Sequence, residues 1–311
     1  MTLSRAATGA APRTAAWLLR LAGGIAAYVE LTKPRIVALL VFTAYCAMVA
    51  AAHGLPGWRL IAATVTGLAF SAGGAAAVNM WFDRDIDAVM SRTRHRPLPA
   101  GLVAPGLALC MGLALGAAGF ILLWRWANPL AAWLSLAGYL YYAVVYTMWL
   151  KRRTPQNIVI GGGAGAFPPL VGWAAVTGHL GVTAWALFAI TFFWTPSHFW
   201  SLALYKEDDY AAAGVPMLPV VRGREATRRA MLAYATVLLP VSLVPWVAGA
   251  VPAAYAVVAA LAGVWFWWGN FRLLRAKTDE TTWARRTFVG SLVYLPVVYT
   301  ALAVCAALAQ P

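Results

Sequence analysis

Asn79, Asp83 and Asp87 recur at every fourth position in the stretch NMWFDRDIDAVMSRTRHRPLPAG, residues 79–101. On an α-helix of 3.6 residues per turn, positions four apart lie about 40° apart around the axis. An amide and two carboxylates therefore stand in a column, while Asp85 points the other way. Two carboxylates a turn apart repel unless a cation sits between them. Hard oxygen donors at this spacing suit Mg²⁺, which takes one or two carboxylates and completes its shell with waters and substrate phosphate. Arg92, Arg94 and Arg96 follow, offering forked donors for phosphate oxygens. Carboxylates for a metal beside arginines for an oxyanion are equipment for a diphosphate. The plainer alternative is a solvated acidic loop balanced by its own arginines. Asn79 weighs against it, because it falls near the membrane end of an apolar helix, where polar groups are costly.

A second acidic tract, YKEDDY at 205–210, holds Glu207, Asp208 and Asp209. Asp209 lies four residues after Tyr205, with Lys206 and Asp208 between. A second Mg²⁺ site built on Asp208 and Asp209 would let two ions neutralise one diphosphate. Lys206 suits a phosphate oxygen equally well as it suits snorkelling to the interface. Six of the ten acidic residues fall in these two clusters, and each cluster leads into a proline-rich turn, RPLPAG at 96–101 and VPMLPVVRG at 215–223. This internal echo is compatible with a duplicated four-helix unit whose sites face each other.

Other motifs are less specific. In YLYYAVVYTMWL, helical spacing puts Tyr139, Tyr142, Tyr146 and Trp149 on roughly one face. An interfacial belt suits the Trp149 end, and a lining that steadies a carbocation through its ring quadrupoles suits the tyrosines. His198, in FFWTPSHFW, falls within the cytoplasmic half of a span, either bonded to a neighbouring helix or touching substrate. VIGGGAGAFPPLVGW at 159–173 lacks the Gly-Lys-Ser/Thr ending of a phosphate loop. Its small residues instead permit close helix contact, and Pro168 and Pro169 are expected to bend it. Cys46, Cys110 and Cys305 lie apart in apolar spans and read as small buried hydrophobes.

These groups need a scaffold, and the composition names it. The chain is 62% hydrophobic and 11% charged, against roughly 25% charged in ordinary soluble domains. Apolar runs long enough to cross a bilayer as helices fall near 36–54, 60–80, 102–123, 128–149, 157–177, 182–204, 230–249, 251–270 and 288–308. The expected fold is all-α, a polytopic integral membrane protein with about nine transmembrane helices in a bundle and active-site loops on the cytoplasmic side. Residues 1–31 read as a cytoplasmic leader, interfacial or disordered, and 32–311 as the transmembrane domain. Alternating the connections places 22 of the 24 Lys and Arg on one side, with only Arg59 and Arg125 opposite. The positive-inside rule makes that side cytoplasmic, with the N-terminus inside and the C-terminus outside. The net charge of +14 thus follows mostly from topology. Contact with anionic lipid is a consequence of it, and nucleic-acid binding is not expected of charge split among loops.

Five stretches, TKPRI (32–36), NMWFDRDIDAVMSRTRHRPLPAG, YTMWLKRRTPQNIVIGGGAGAFPPLVGW (146–173), FFWTPSHFWSLAL (192–204) and DDYAAAGVPMLPVVRG (208–223), resemble the membrane-embedded prenyltransferase superfamily. Its first signature is Asn-x3-Asp-x3-Asp. Within it the chain is similar to the protoheme IX farnesyltransferases, or heme O synthases. The resemblance implies farnesyl transfer from farnesyl diphosphate to a vinyl group of heme B, with water adding to give heme O. It implies that Asn79, Asp83 and Asp87 hold Mg²⁺ and diphosphate, that Asp209 with Asp208 forms the second acidic site, and that Arg96, with Arg92 or Arg94, grips diphosphate. His198 takes the family's histidine position, for heme iron or a propionate. Ser197 departs from the family, which more usually has a second proline there. The cell membrane is the implied location, and a downstream heme A synthase is a possible contact. A quinone-precursor prenyltransferase would share the acidic motifs without needing WTPSHFW and KRRTPQN. A transporter would place its polar groups nearer mid-membrane.

Overall fold

The computed structural model describes residues 24–309, and among these residues there are helices and short connections but no strand. Nine long helices follow in order: α1 (Pro34–Ala52), α2 (Trp58–Phe82), α3 (Pro105–Trp126), α4 (Pro129–Leu150), α5 (Asn157–Thr177), α6 (Val182–Tyr205), α7 (Leu218–Val247), α8 (Ala253–Arg275) and α9 (Glu280–Leu308). Eight are long and apolar enough to cross a membrane. The exception, α6, has 24 residues, about 36 Å of helix at 1.5 Å per residue. Its hydropathy is diluted by Thr191, Thr195, Ser197 and Ser201, all buried against neighbouring helices. Expected and observed spans agree at seven of the nine starts to within a few residues.

The other two, α7 and α9, begin earlier than expected, at Leu218 and Glu280 rather than near 230 and 288. Hydropathy marks where the membrane ends, and these helices continue past it. Arg224 ties the first turns of α7 to Glu207 (2.7 Å) and Glu280 (2.8 Å). Gly223 interrupts the backbone at φ 80°, so the uninterrupted part of α7 starts just after it.

Outward faces carry large apolar side chains, among them Trp58, Trp126 and Trp149 near helix ends. Arg59 and Arg125, expected on the side opposite the other basic residues, lie over the rings of Trp58 and Trp126. Inside, α2 and α3 pack backbone to backbone: a Cβ at Gly74 would sit 2.9 Å from the Gly116 nitrogen, the close approach small residues allow in membranes. Fully buried tyrosines link α6 through α9, with Tyr299 donating to the Leu187 carbonyl and Tyr255 to the Ser242 carbonyl. Without water nearby, these phenols must find protein partners.

Of the expected leader, Arg5, Arg13 and Arg20 lie outside the described residues. Residues 24–31 form a helix whose Ala27 and Leu31 pack against Ala77, Met80 and Leu98. Among the cysteines, Cys46 is buried and Cys305 half-buried, but Cys110 is exposed. That corrects the expectation that all three are buried, because α3 turns Cys110 toward the lipid side.

Candidate active site

The acidic column survives the end of its helix. α2 stops at Phe82, yet Asp83 N–H donates to the Asn79 carbonyl at 2.9 Å and Asp87 N–H to that of Asp83 at 2.8 Å. Helical spacing therefore carries across the joint into a short helix, Arg84–Val89. Asn79 Nδ2 donates to Asp83 Oδ2 at 2.7 Å. Asn79, Asp83 and Asp87 are at most 3% exposed, whereas the Asp85 side chain on the opposite face is 60% exposed. Arg152 grips Asp85 through both carboxylate oxygens at 2.7 Å, and those hydrogen bonds hold its carboxyl down at about 2.

Buried carboxylates need compensation, and four cations supply it. Lys151 Nζ donates to Asp83 Oδ2 at 2.5 Å, and Arg152 approaches its other oxygen at 3.4 Å. Arg96 Nη1 reaches Asp87 Oδ2 at 2.7 Å. Lys33 Nζ donates to Asn79 Oδ1 at 2.5 Å and to the Tyr142 phenol at 3.2 Å. Burial first, then the charges of Arg96 and Lys151, bring the Lys33 ammonium down to about 7. Sequence reasoning missed these three as site residues: Lys33, Lys151 and Arg152 read as topology markers. The signal was present, since TKPRI and KRRTPQN are two of the motifs, but only folding brings them within reach of positions 46 and 68 residues away. Thr147, which accepts from Asn79 Nδ2 at 3.0 Å, was missed as well.

The second cluster meets the first through Ser91. Its hydroxyl donates to Asp209 at 2.7 Å across 118 residues of chain. Arg92, next along, faces the Tyr210 phenol. Asp209 and Arg92 are thus brought to one seam. Asp208 is exposed. Lys206 and Tyr205 are half-buried at the end of α6, and Tyr205 sits edge-on to Phe288 at 6.1 Å. Glu207 is taken up by Arg224. Arg94 is exposed and turns to its neighbour His95 at 3.3 Å, so the fold does not bring it to the column. Among the described residues no group of three or more His, Cys, Asp or Glu is gathered as a metal cluster. The donors nonetheless suit Mg²⁺: an amide and two buried carboxylates on one side, with hard oxygens only.

Aromatic positions depart from simple helical spacing because Tyr141–Leu150 is a π-helix. Lys151 N–H donates to the Tyr146 carbonyl, five residues back. Tyr142 and Tyr146 stack with centroids 5.6 Å apart, beside Lys33 and the acid column. Tyr139 leaves that face: it is buried and donates to the Gly112 carbonyl. Trp149 is 55% exposed, as an interfacial ring should be. The glycine-rich run acts as a packing surface, since a Cβ at Gly161 would come within 2.8 Å of Tyr146 Cγ. Pro168 and Pro169 open the second part of α5 after a 3-10 turn at Gly162–Ala166. The expected bend is therefore a break in helix type.

His198 lies between two rings, Trp194 at 4.4 Å and Phe288 at 4.9 Å. Its Nδ1 is 2.7 Å from the Ser291 hydroxyl. That hydroxyl donates its one proton to the Phe288 carbonyl at 2.5 Å, so it accepts from His198 Nδ1–H. This tautomer leaves the lone pair on Nε2, which has no hydrogen-bond partner among the described residues. Ser197 ties α6 to α7 by donating to the Met231 carbonyl at 2.9 Å, and α6 stays continuous across Pro196.

The model of the UbiA prenyltransferase family matches residues 40–293. The chain belongs to the UbiA prenyltransferase family. Within it, a protoheme IX farnesyltransferase of Symbiobacterium thermophilum is 51% identical, over 88% of this chain and 92% of that protein. One from Acidiphilium cryptum is 47% identical over 97% of each. The chain is therefore also a member of the protoheme IX farnesyltransferase branch. Among solved structures, a digeranylgeranylglyceryl phosphate synthase shares the fold with TM-score 0.75 at 17% identity, covering 91% of this chain and 99% of its own. A UbiA homologue from Archaeoglobus fulgidus bound to DMAPP and Mg²⁺ gives TM-score 0.63 at 16% identity, over 89% and 99%. Such distant likeness establishes the UbiA fold alone.

Proposed function

We propose that this chain transfers a farnesyl group from farnesyl diphosphate to a vinyl group of heme B. The C1–O bond of farnesyl diphosphate breaks, and the terminal vinyl carbon forms the new bond to C1. Water then adds to the cation left beside the porphyrin, giving the hydroxyethylfarnesyl tail of heme O, a proton and diphosphate. The observation that carries the reading is the pairing of a buried Asn79–Asp83–Asp87 column, ringed by basic side chains, with branch relatives of close identity.

Asn79, Asp83 and Asp87 would hold Mg²⁺ on one side, and Asp209, helped by Asp208, on the other. When bound, Mg²⁺ supplies charge neutralisation of the leaving diphosphate. Lys33, Lys151, Arg96 and Arg92 would take phosphate oxygens, Lys151 and Arg96 by exchanging their carboxylate partners for the substrate's; Lys206 stands by at the rim. Donors gathered beside the site in this way stabilise charge on the leaving group. The stacked Tyr142 and Tyr146 lie beside the column, where their rings favour a passing allylic cation and their bulk excludes water from it. His198 Nε2, which keeps the lone pair because Nδ1 donates to Ser291, is suited to the heme iron.

The protein is a multi-pass membrane protein. We place it in the cell membrane with the site and N-terminus cytoplasmic and the C-terminus opposite, on the distribution of basic residues. Residues 32–311 form the transferase domain in this reading, and contact with a downstream heme A synthase is compatible with release of a lipid-soluble product. The test is to incubate the purified protein with Mg²⁺, farnesyl diphosphate and heme B and to analyse heme by mass spectrometry. A farnesyl-plus-water adduct is expected. Prenylation of an aromatic acid with no heme adduct would overturn the assignment.

A further inference from the structure

We infer that the groove between α8 and α9 is a site for one anionic phospholipid of the adjoining leaflet, its phosphate held by Arg285 and Arg286 and one acyl chain lying along the helices. A cavity of about 520 Å³ opens there, within the size range of ligand sites. Trp265 and Trp268 of α8 and Val289 and Val293 of α9 line it, together with Gly269 and Gly290, which add no bulk. All four large side chains are exposed on the outward face of the bundle. Past Trp265 and Val293, a smaller depression of about 280 Å³ continues to Val258 and Val297. Its one polar side-chain group, the Tyr294 hydroxyl, is turned inward to Ser242.

The length of the groove names the kind of tail. Arg286 and Val297 are eleven residues apart on α9, about 17 Å at 1.5 Å per residue. A leaflet is half of a hydrocarbon core about 30 Å thick, so the groove is as long as one leaflet is deep. That suits an acyl chain from one side of the bilayer and is too short for a spanning helix of a partner.

Charge names the head. Arg285 and Arg286 line the end of the cavity nearest the start of α9, and both are exposed. Neither makes an ion pair among the described residues. The acids close by in the chain are already engaged: Glu280 with Arg224 and Arg228, and Asp279 with the Trp283 indole N–H at 2.7 Å. Arg272 and Arg286 lie over the Trp283 ring at 4.6 and 5.1 Å. Stacking of this kind steadies a guanidinium while leaving N–H donors at its edge for a phosphate. Three arginines thus meet at the mouth of an apolar groove, the arrangement that captures acidic headgroups between helices. A zwitterionic lipid would bring its own cation against this surplus. The inference does not depend on what the chain transfers.

The experiment uses the full-length protein, stripped of lipid in detergent and titrated with palmitoyl-oleoyl phosphatidylglycerol or phosphatidylcholine, with bound lipids counted by native mass spectrometry. One phosphatidylglycerol should bind ahead of all others and more tightly than phosphatidylcholine. Arg285→Gln and Arg286→Gln should each weaken it about fivefold, and the double variant about twentyfold to thirtyfold. A Cβ at Gly269 meets only Thr287 Oγ1, at an ordinary 3.7 Å, so Gly269→Leu fills the groove without moving the backbone. Val293→Trp fills it from an exposed position where the two cavities join. Whichever of these melts like wild type should lose the tightly held lipid although every arginine remains. Equal binding of the two lipids, or a phosphatidylglycerol that survives in both filled variants, overturns the site. So does Arg222→Gln, an exposed arginine outside the groove, if it weakens binding as much as Arg285→Gln, since the attraction would then be that of the whole surface. Displacement of phosphatidylglycerol by equimolar farnesyl diphosphate would assign the groove to prenyl diphosphate instead. A lipid-free dimer that Gly269→Leu dissociates would assign it to a second copy of the chain.

Discussion

Asp83→Asn and Asp85→Asn change the same atoms two residues apart and should have opposite consequences. The Asp83 side chain is 0% exposed and receives Lys151, Asn79 and the edge of Arg152. Removing its charge strands Lys151 beside an amide, and breaking a buried pair costs about 3–5 kcal/mol. Lys151 is 15% exposed and has a path to water, which places the expected loss at about 3 kcal/mol. Catalysis suffers separately, because Asp83 would hold the Mg²⁺ that neutralises the leaving diphosphate, and losing one such preset electrostatic contact costs about 10²–10³ in kcat. Asp85 is 60% exposed and paired with an arginine 30% exposed, so its loss should cost at most about 1 kcal/mol and little turnover. The assay is farnesyl transfer to heme B by mass spectrometry, with thermal unfolding in the same detergent to separate folding from chemistry. Full turnover in Asp83→Asn, or an Asp85→Asn as damaged as Asp83→Asn, would refute the division of this motif into a buried pair and an outward acid.

Gly161→Ala should displace the Tyr146 ring and cost about 1–3 kcal/mol from overpacking. Adding Tyr146→Leu should recover folding stability in an unfolding assay, a rescue that a phosphate-binding glycine would not show. Ser291→Ala removes the acceptor that fixes the His198 tautomer, and heme affinity read from the Soret band should fall about tenfold or more, as when a metal ligand loses its orienting partner. Farnesyl diphosphate affinity should stay level in that variant, and a matching fall there would place Ser291 in general packing.

Much of this site is legible in one dimension because its parts are local. Asn79, Asp83 and Asp87 lie within nine residues, and the helical period alone separates them from Asp85. Trp149 likewise declares its interface by ending a span. Tyr139 was misplaced because the period itself changes: a π-helix starts at Tyr141, and nothing in the apolar run announces a wider turn. α7 and α9 began early for a related reason, since a charged stretch such as Arg222–Arg229 can remain helical once it has left the lipid.

Composition and periodicity by themselves determined the membrane class, a bundle of about nine helices and the acidic column. Each depends on transfer from water to lipid or on neighbours within a few turns. Only the tertiary structure decided which cation faces which acid. Lys151 and Arg152 divide between Asp83 and Asp85, Ser91 closes on Asp209, and Ser291 sets the nitrogen that His198 offers. Those choices depend on distances between helices far apart in the chain, which follow from how closely glycine-lined and aromatic faces can pack rather than from the order of residues along any one of them.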